Sequence, residues 1–197
     1  MINANQNERV MIFIDLSNVI KNAEGFCGFE IYVDFKRIVE TVLKGRKLVA
    51  AYMFDAHTSE RDPCNQLYDA FRRQGFRVIT RMYYEKDAGE QKEVDVAMAC
   101  EMLSHAYKNN YDTAVVVSGD RDFRPAIEHI QAAGKRAEVA GISTGMSWKL
   151  SRSCDVFHDL DGLPIFCVIK PENEEPLDPA PHFVPDDILT LDLEDIA

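Results

Sequence analysis

Residues 10–15 read VMIFID, an unbroken apolar run that ends in a carboxylate. A short run that is apolar at every position is typical of a strand buried on both faces of a parallel sheet. Residues 48–54 (LVAAYMF) and Thr113–Val117 (TAVVV) have the same character. Segments with apolar residues at helical spacing separate these runs, which predicts an α/β protein with a mainly parallel central sheet.

The length of 197 residues and the apolar fraction of 46% suit one globular domain. No run of about 18 apolar residues occurs, and residues 1–9 are polar, so neither a transmembrane helix nor a secretory signal is predicted. Five cysteines are scattered without a C-x-x-C pair, as in proteins whose thiols stay reduced. These features predict a cytoplasmic protein that does not bind membranes.

The net charge of −11 is concentrated at one end, because residues 170–197 carry −8 of it and also five of the eight prolines. We therefore predict one domain over residues 1–169 and an acidic, proline-rich, flexible tail over 170–197. The body of the chain retains only −3, which does not exclude a polyanionic substrate such as RNA. Binding of a protein partner through the tail and formation of a homodimer both stay open.

Acidic residues follow two of the predicted strands. Asp15 ends the first strand, and Asp120 and Asp122 come after Thr113–Val117. Parallel strands place their carboxyl ends along one edge of the sheet, where ligands of α/β proteins bind. Each aspartate taken alone also suits an ordinary helix cap or turn. If the two strands are neighbours, all three carboxylates face one crevice.

Asp95 is the only charged residue in residues 94–100 (VDVAMAC), inside a predicted helix. A carboxylate packed among apolar neighbours is costly unless it is paired or binds a metal. The alternative is an acid that only interacts with the helix dipole, since Asp95 lies in the first turn. Lys92 lies three residues earlier, on the same helix face, and is a candidate partner or phosphate contact.

Four aspartates without histidine or cysteine make a set of hard oxygen ligands, which favours Mg²⁺ or Mn²⁺ over zinc. Such a site suits phosphodiester hydrolysis, where a metal activates water and stabilises the leaving oxygen. The sequence has no recognisable motif that joins a serine or cysteine nucleophile to a histidine base, which disfavours covalent catalysis, and it has no Walker A loop and no G-x-G-x-x-G. An aspartyl phosphatase is disfavoured because the first strand has no D-x-D.

Three motifs in this order resemble those of NYN-domain proteins, the LabA-like branch of the PIN-like nuclease superfamily. They are residues 15–18 (DLSN), 92–97 (KEVDVA) and 118–125 (SGDRDFRP), and the resemblance extends over about residues 10–160. It implies a three-layer α/β/α sandwich with a central parallel sheet. It also implies a magnesium- or manganese-dependent endoribonuclease site.

The resemblance assigns roles to individual residues. It makes Asp15, Asp95, Asp120 and Asp122 the metal-binding and catalytic acids, with Asn18 as a polar companion to the metal or the substrate. Candidate substrate-binding residues are Ser17, Lys92, Ser118, Arg121 and Arg124, and the Ser118 hydroxyl is also expected to steady the strand end. Two positions depart from the family's pattern: Glu93 replaces a frequent glycine, and Arg121 replaces a small polar residue.

The sequence thus predicts a metal-dependent endoribonuclease that cleaves RNA. The alternative is a non-catalytic regulator that binds RNA or a protein through the same cleft and the tail. Trp148, on a predicted short helix, is expected to be a packing residue.

Overall fold

The computed structural model describes residues 6–27, 31–57, 65–82, 92–161 and 166–168. The strands are β1 Arg9–Asp15, β2 Ile31–Val33, β3 Lys47–His57, β4 Arg77–Met82, β5 Thr113–Val117, β6 Arg136–Gly141, β7 Val156–Asp159 and β8 Phe166–Val168. The α-helices are α1 Leu16–Cys27, α2 Phe35–Leu43, α3 Asn65–Arg73, α4 Lys92–Tyr107, α5 Arg124–Ala132 and α6 Trp148–Ser151. Short 3₁₀ turns occupy Arg121–Phe123 and Ser143–Gly145.

Six strands form a sheet in the order β4-β3-β1-β5-β6-β7, and every neighbouring pair in it is parallel. β2 and β8 pair separately as a small antiparallel ribbon. The chain builds outward from β1 through β3 to β4, and then returns to the other side of β1 with β5. The strand order therefore reverses between β1 and β5, which is where α/β proteins bind ligands.

Side chains alternate between two cores on the two faces of the sheet. In β1, Ile12 and Ile14 pack into one core, and Phe13 packs into the other. The first core also takes buried residues from α1, α2 and α3: Val19, Ile38, Val42, Tyr68 and Phe71. The second core takes residues from α4, α5 and α6: Met98, Met102, Ile127, Ile130 and Leu150. The protein is therefore a three-layer α/β/α sandwich, as expected.

Helix α1 is an element that the sequence pattern does not predict. It follows β1 without a connecting loop, and it buries Leu16, Val19 and Ala23 along one face. The carboxylate of Asp15 accepts the backbone N–H of Asn18 at 3.1 Å, which satisfies a free donor of the first turn. Asp15 thus ends the strand and caps the helix.

The predicted tail, residues 170–197, lies outside the described residues. Among the residues that are described, no helix is long and apolar enough to cross a membrane.

A buried ion-pair network joins Arg46, in the connection between α2 and β3, to strands β6 and β7. The guanidinium of Arg46 donates to both carboxylate oxygens of Glu138 on β6, at 3.0 and 2.9 Å. The ring Nε2 of His158 on β7 lies 2.8 Å from the same carboxylate. All three side chains are almost fully buried. An uncompensated charge left in such a place would be costly.

Replacement of Arg46 by methionine should lower the free energy of unfolding by about 3–5 kcal/mol, because the buried carboxylate of Glu138 would lose its buried cation. It would keep only His158 and the partly exposed Arg136, whose Nε lies 2.9 Å from it. Urea denaturation at neutral pH measures this. The matched control is Arg72→Met, since Arg72 forms an exposed ion pair with Asp69. That change should cost at most about 1 kcal/mol. Equal losses in the two variants would show that burial of the network does not matter.

The Glu138 network should also make stability depend on pH. Burial raises the pKa of Glu138, but the hydrogen bonds from His158 and Arg46 outweigh it and hold the pKa at about 2, below the usual 4.5. Because the folded state binds this proton less readily than the unfolded state, the stabilisation is complete above about pH 4.5 and is lost as pH falls towards 2. Denaturation midpoints of the wild type and Glu138→Gln should therefore converge over this range. If the difference between the two midpoints stayed constant with pH, the pH dependence would not come from Glu138.

Candidate active site at the carboxyl edge of the sheet

The two predicted acidic segments meet at the switch point of the sheet. β1 and β5 pair directly, with Ile14 opposite Val117, so Asp15 and the turn after Val117 leave the sheet side by side. A pocket of about 210 Å³ opens there. Its lining is Asp15, Ser17, Asn18, Lys21, Asp55, Ala56, Val94, Asp95 and Asp120. The structure thus brings three of the four predicted acids together.

Asp15 lies deepest among these acids, with only 8% of its surface exposed. Burial raises the pKa of its carboxyl to about 7, although hydrogen bonds from the Asn18 N–H and the Ser118 hydroxyl oppose the shift. The charges of Asp95 and Asp120 raise it further. These carboxylates are therefore near enough to repel one another.

Ser118 connects Asp15 to Asp120. Its side chain is fully buried, and its hydroxyl donates to the Asp15 carboxylate at 3.0 Å. The same oxygen accepts the backbone N–H of Asp120 at 3.1 Å. Ser118 is absent from the lining of the pocket. This placement favours the expected steadying role for Ser118 over direct contact with a substrate.

Asp120 and Asp122 lie on either side of a tight turn. Asp120 caps the turn Arg121–Phe123, because its carboxylate accepts the Asp122 N–H at 2.9 Å. Asp120 is therefore a turn former, and the same side chain also lines the pocket. The Asp122 side chain is 77% exposed and lies outside this pocket.

Asp95 reaches the site from α4, which packs on the face of the sheet opposite α1. It lies in the first turn of that helix and is partly buried. Burial raises the pKa of its carboxyl, and the charges of Asp120 and Asp122 add to the shift. Asp122 therefore remains within electrostatic range of the pocket although it does not line it.

Asn18 holds the two sides of the site together. Its side-chain oxygen accepts the Gly119 N–H and one N–H of the Asn22 amide, both at 2.8 Å. Any contact of Asn18 with a ligand would therefore go through its own amide N–H groups. Gly119 must lack a side chain, because a Cβ there would overlap the carbonyl oxygen of Gly145.

Asp55 is a site residue that the sequence analysis missed. It follows the apolar run of β3, beside β1, and is 9% exposed. Its carboxylate accepts hydrogen bonds from the hydroxyls of Ser17 and Tyr68, the latter at 2.8 Å. The rule that singled out Asp15, a carboxylate at the end of a buried strand, applies to Asp55 as well. Lys21, one turn beyond Ser17 on α1, was also missed.

The predicted cations lie elsewhere. Arg121 and Arg124 line a second, more open groove of about 490 Å³ together with Asp122, Pro125, Glu128 and Lys149. Arg124 forms an ion pair with Glu128 at 2.7 Å. Lys92 begins α4, and its side chain is outside the described part of the structure.

The pocket offers carboxylate oxygens from Asp15, Asp95 and Asp120, which are ligands for a hard divalent cation. Burial raises the pKa of Asp15, repulsion from Asp95 and Asp120 adds to the shift, and a bound cation would relieve both. Among the described residues, no three acidic, histidine or cysteine side chains are already arranged to hold a metal ion. The donors thus fit Mg²⁺ or Mn²⁺ in kind, while the side chains would adjust on binding.

Fold and site together define an α/β/α protein with an acidic pocket at the reversal of its strand order. Residues 9–161 match the NYN domain, and the chain belongs to this family of the PIN-like nuclease superfamily. The "low amplitude and bright protein LabA" of Synechococcus elongatus is 28% identical over 90% of this chain and 96% of its own length. The resemblance drawn from the three motifs is thereby confirmed.

Two further similarities extend the comparison. An uncharacterised protein of Methanocaldococcus jannaschii is 27% identical over 75% of this chain, which spans 53% of that protein. A crystal structure of a protein of unknown function from Vibrio parahaemolyticus matches with a TM-score of 0.68 at 22% identity, over 82% of this chain and 98% of that one. At that identity the match supports the fold alone.

Replacement of Asp15 by asparagine should stabilise the metal-free protein at alkaline pH. Since the folded-state pKa of about 7 exceeds the usual 3.8, ionised Asp15 opposes folding increasingly as pH rises between these values. Melting temperatures in EDTA at about pH 5 and pH 8 should both show a gain, and the gain should be larger at pH 8 by on the order of 2 kcal/mol.

The control is Asp112→Asn, which should have the opposite effect. The hydrogen bond from Arg9 holds the pKa of Asp112 at about 2, so this carboxylate favours folding when ionised. If Asp15→Asn destabilised the protein equally at both pH values, the electrostatic account of the pocket would be wrong.

Proposed function

We propose that this protein is a metal-dependent ribonuclease that hydrolyses RNA phosphodiester bonds internally. The observation that supports it best is the convergence of Asp15, Asp95 and Asp120 in one pocket at the switch point of the sheet. Membership of the NYN family supports a nuclease in the broad sense. Metal dependence, RNA as substrate and endonucleolytic cleavage are our extension of that.

The carboxylates of Asp15, Asp95 and Asp120 would hold Mg²⁺ or Mn²⁺, with Asp122 contributing negative charge from the groove side. When bound, such a cation supplies an activated water and charge stabilisation at the phosphate. Ser118 fixes the orientation of Asp15 through its hydrogen bond. The precision of this arrangement matters because small displacements of reacting groups cost large factors in rate.

Positive and amide donors beside the acids would position the scissile phosphate. Lys21 lines the pocket and would neutralise a phosphate oxygen, and the amide of Asn18 would donate to another. The pocket, at about 210 Å³, is smaller than the ~300–1,000 Å³ typical of pockets that enclose a whole small ligand. It therefore suits one phosphodiester group of a longer strand that runs across the surface.

The second candidate is a non-catalytic regulator that binds RNA or a protein through the same cleft. It is favoured by the groove next to the pocket, whose cations Arg121, Arg124 and Lys149 can bind a polyanion without turnover. The two functions differ in one respect: a regulator binds its partner without metal-dependent turnover. A cytoplasmic location, a homodimer and a partner for the acidic tail remain predictions.

Incubation of the full-length protein with a panel of single-stranded and structured RNAs tests the proposal. Cleavage should occur with Mn²⁺ or Mg²⁺, should stop in EDTA, and should fall by at least about a hundredfold in Asp120→Asn and Asp95→Asn. The loss is expected because each change removes a ligand while preserving the shape of the side chain.

Asp69→Asn provides the matched control, since Asp69 is an exposed aspartate on α3 that pairs with Arg72. It should cleave at the wild-type rate. Cleavage that persists in EDTA or in the Asp120 variant would point to a contaminating nuclease. Absence of cleavage with metal and RNA both bound would transfer support to the regulator.

A further inference from the structure

Trp148 is 64% exposed, which contradicts the expectation that it packs in the interior. It is the chain's single tryptophan. The helix α6 that carries it is anchored through Leu150, which is fully buried in the second core. The anchor explains how a large apolar ring can remain in solvent without loosening the helix. An exposed tryptophan on a rigid support is a common element of binding surfaces.

Two cations flank this ring. The Lys149 ammonium lies 5.8 Å from the centroid of the Trp148 ring, and the Arg152 guanidinium carbon lies 5.6 Å from it. Both distances fall within the about 6 Å range of a cation–π contact, and the contacts of an exposed ring of this kind are each worth only about 0.5–1 kcal/mol. A planar ligand that stacks on the ring can therefore displace them from its face, while the charges remain nearby.

The position of α6 links this surface to the acidic pocket. The backbone N–H of Ser147, directly before Trp148, donates to the carbonyl of Gly119 at 3.1 Å. Gly119 in turn precedes Asp120, which lines the pocket. Helix α6 also packs against the turn Arg121–Phe123. Trp148 is thus held next to the turn that carries the predicted catalytic acids.

The groove beside α6 carries a positive excess in an otherwise acidic protein. Arg121, Arg124 and Lys149 line it, against Asp122 and Glu128, and Arg152 adds a further charge next to Trp148. The side chain of Arg121 is 71% exposed, with its Nε 3.8 Å from the carboxylate of Asp122. A flat aromatic ring surrounded by cations is complementary to a strand of nucleic acid, whose bases stack and whose phosphates pair with the cations.

We propose that Trp148 is a stacking platform for an unpaired base of single-stranded RNA, whose backbone lies along the groove of Arg121, Arg124 and Lys149. The proposal deepens the function proposed above, since it rests on RNA being the substrate. It implies that the enzyme selects strands whose base next to the scissile phosphate is unpaired, because a base inside a duplex cannot stack on a protein ring.

The fluorescence of Trp148 tests this directly, because no other tryptophan contributes. Titration of the full-length protein in EDTA with a single-stranded RNA of about 12 nucleotides should quench the emission. A blunt RNA duplex of equal length should leave it unchanged. Affinity measured with a labelled strand should fall about 5- to 100-fold in Trp148→Leu and should be largely retained in Trp148→Phe, which keeps an aromatic face.

Tyr107→Leu is the matched control, because Tyr107 is equally exposed, at 67%, at the end of α4. It should bind RNA as the wild type does. Lys149→Gln and Arg152→Gln should each reduce the slope of log affinity against log salt by about one. Equal affinity in wild type and Trp148→Leu, or equal quenching by the duplex, would overturn the proposal. Emission that is already blue-shifted and unresponsive to RNA would also overturn it, since the ring would then be covered by protein.

The proposal and the proposed function fail separately. Quenching that depends on Trp148 without any metal-dependent cleavage would leave the platform standing on a non-catalytic RNA-binding protein. Cleavage that requires Asp120 but is indifferent to Trp148 would leave the nuclease standing and remove the platform.

Discussion

The direct parallel pairing of β1 with β5 is the constraint on which the site depends. It places Asp15 beside the Ser118–Gly119–Asp120 turn, and one buried serine hydroxyl then connects the two segments. Neighbouring parallel strands share a register that both cores enforce, so the carboxylates cannot separate without exposing apolar side chains. The cohesion of the sandwich thereby holds together charges that repel one another.

Repulsion of this kind is a stability cost that folding must offset elsewhere. The protein has a contrasting arrangement on β6 and β7, where Glu138 is buried with Arg46 and His158 and its pKa falls to about 2. Burial opposes ionisation in both places, but only Glu138 has cationic and hydrogen-bonding partners that outweigh it. A carboxylate that is buried near other carboxylates, with a raised pKa, is typical of a functional site rather than a structural one.

The surface beyond the pocket is organised around the same turn. Asp120 caps the turn Arg121–Phe123, Phe123 within the turn is buried in the second core, and Arg121 faces solvent. Helix α6 is attached to it through Ser147 and presents Trp148 outward. The acidic pocket, lined by Asp120, and the groove lined by Arg121 thus adjoin at consecutive residues, an arrangement that would suit the polyanionic substrate of the proposed function.

The sequence by itself determined an α/β fold with a mainly parallel sheet, because buried strands leave a local apolar pattern. It also singled out three acids that converge: Asp15 at a strand end, Asp120 in the turn after a strand, and Asp95 as the lone charge of an apolar helical stretch. The three motifs also gave the family. Only the tertiary structure decided that Lys21 joins the pocket, that Asp122 stays outside it, and that Trp148 is exposed. These outcomes depend on which strands are neighbours and on which face of a helix meets the core. Such facts arise from packing between distant segments, which no local pattern records.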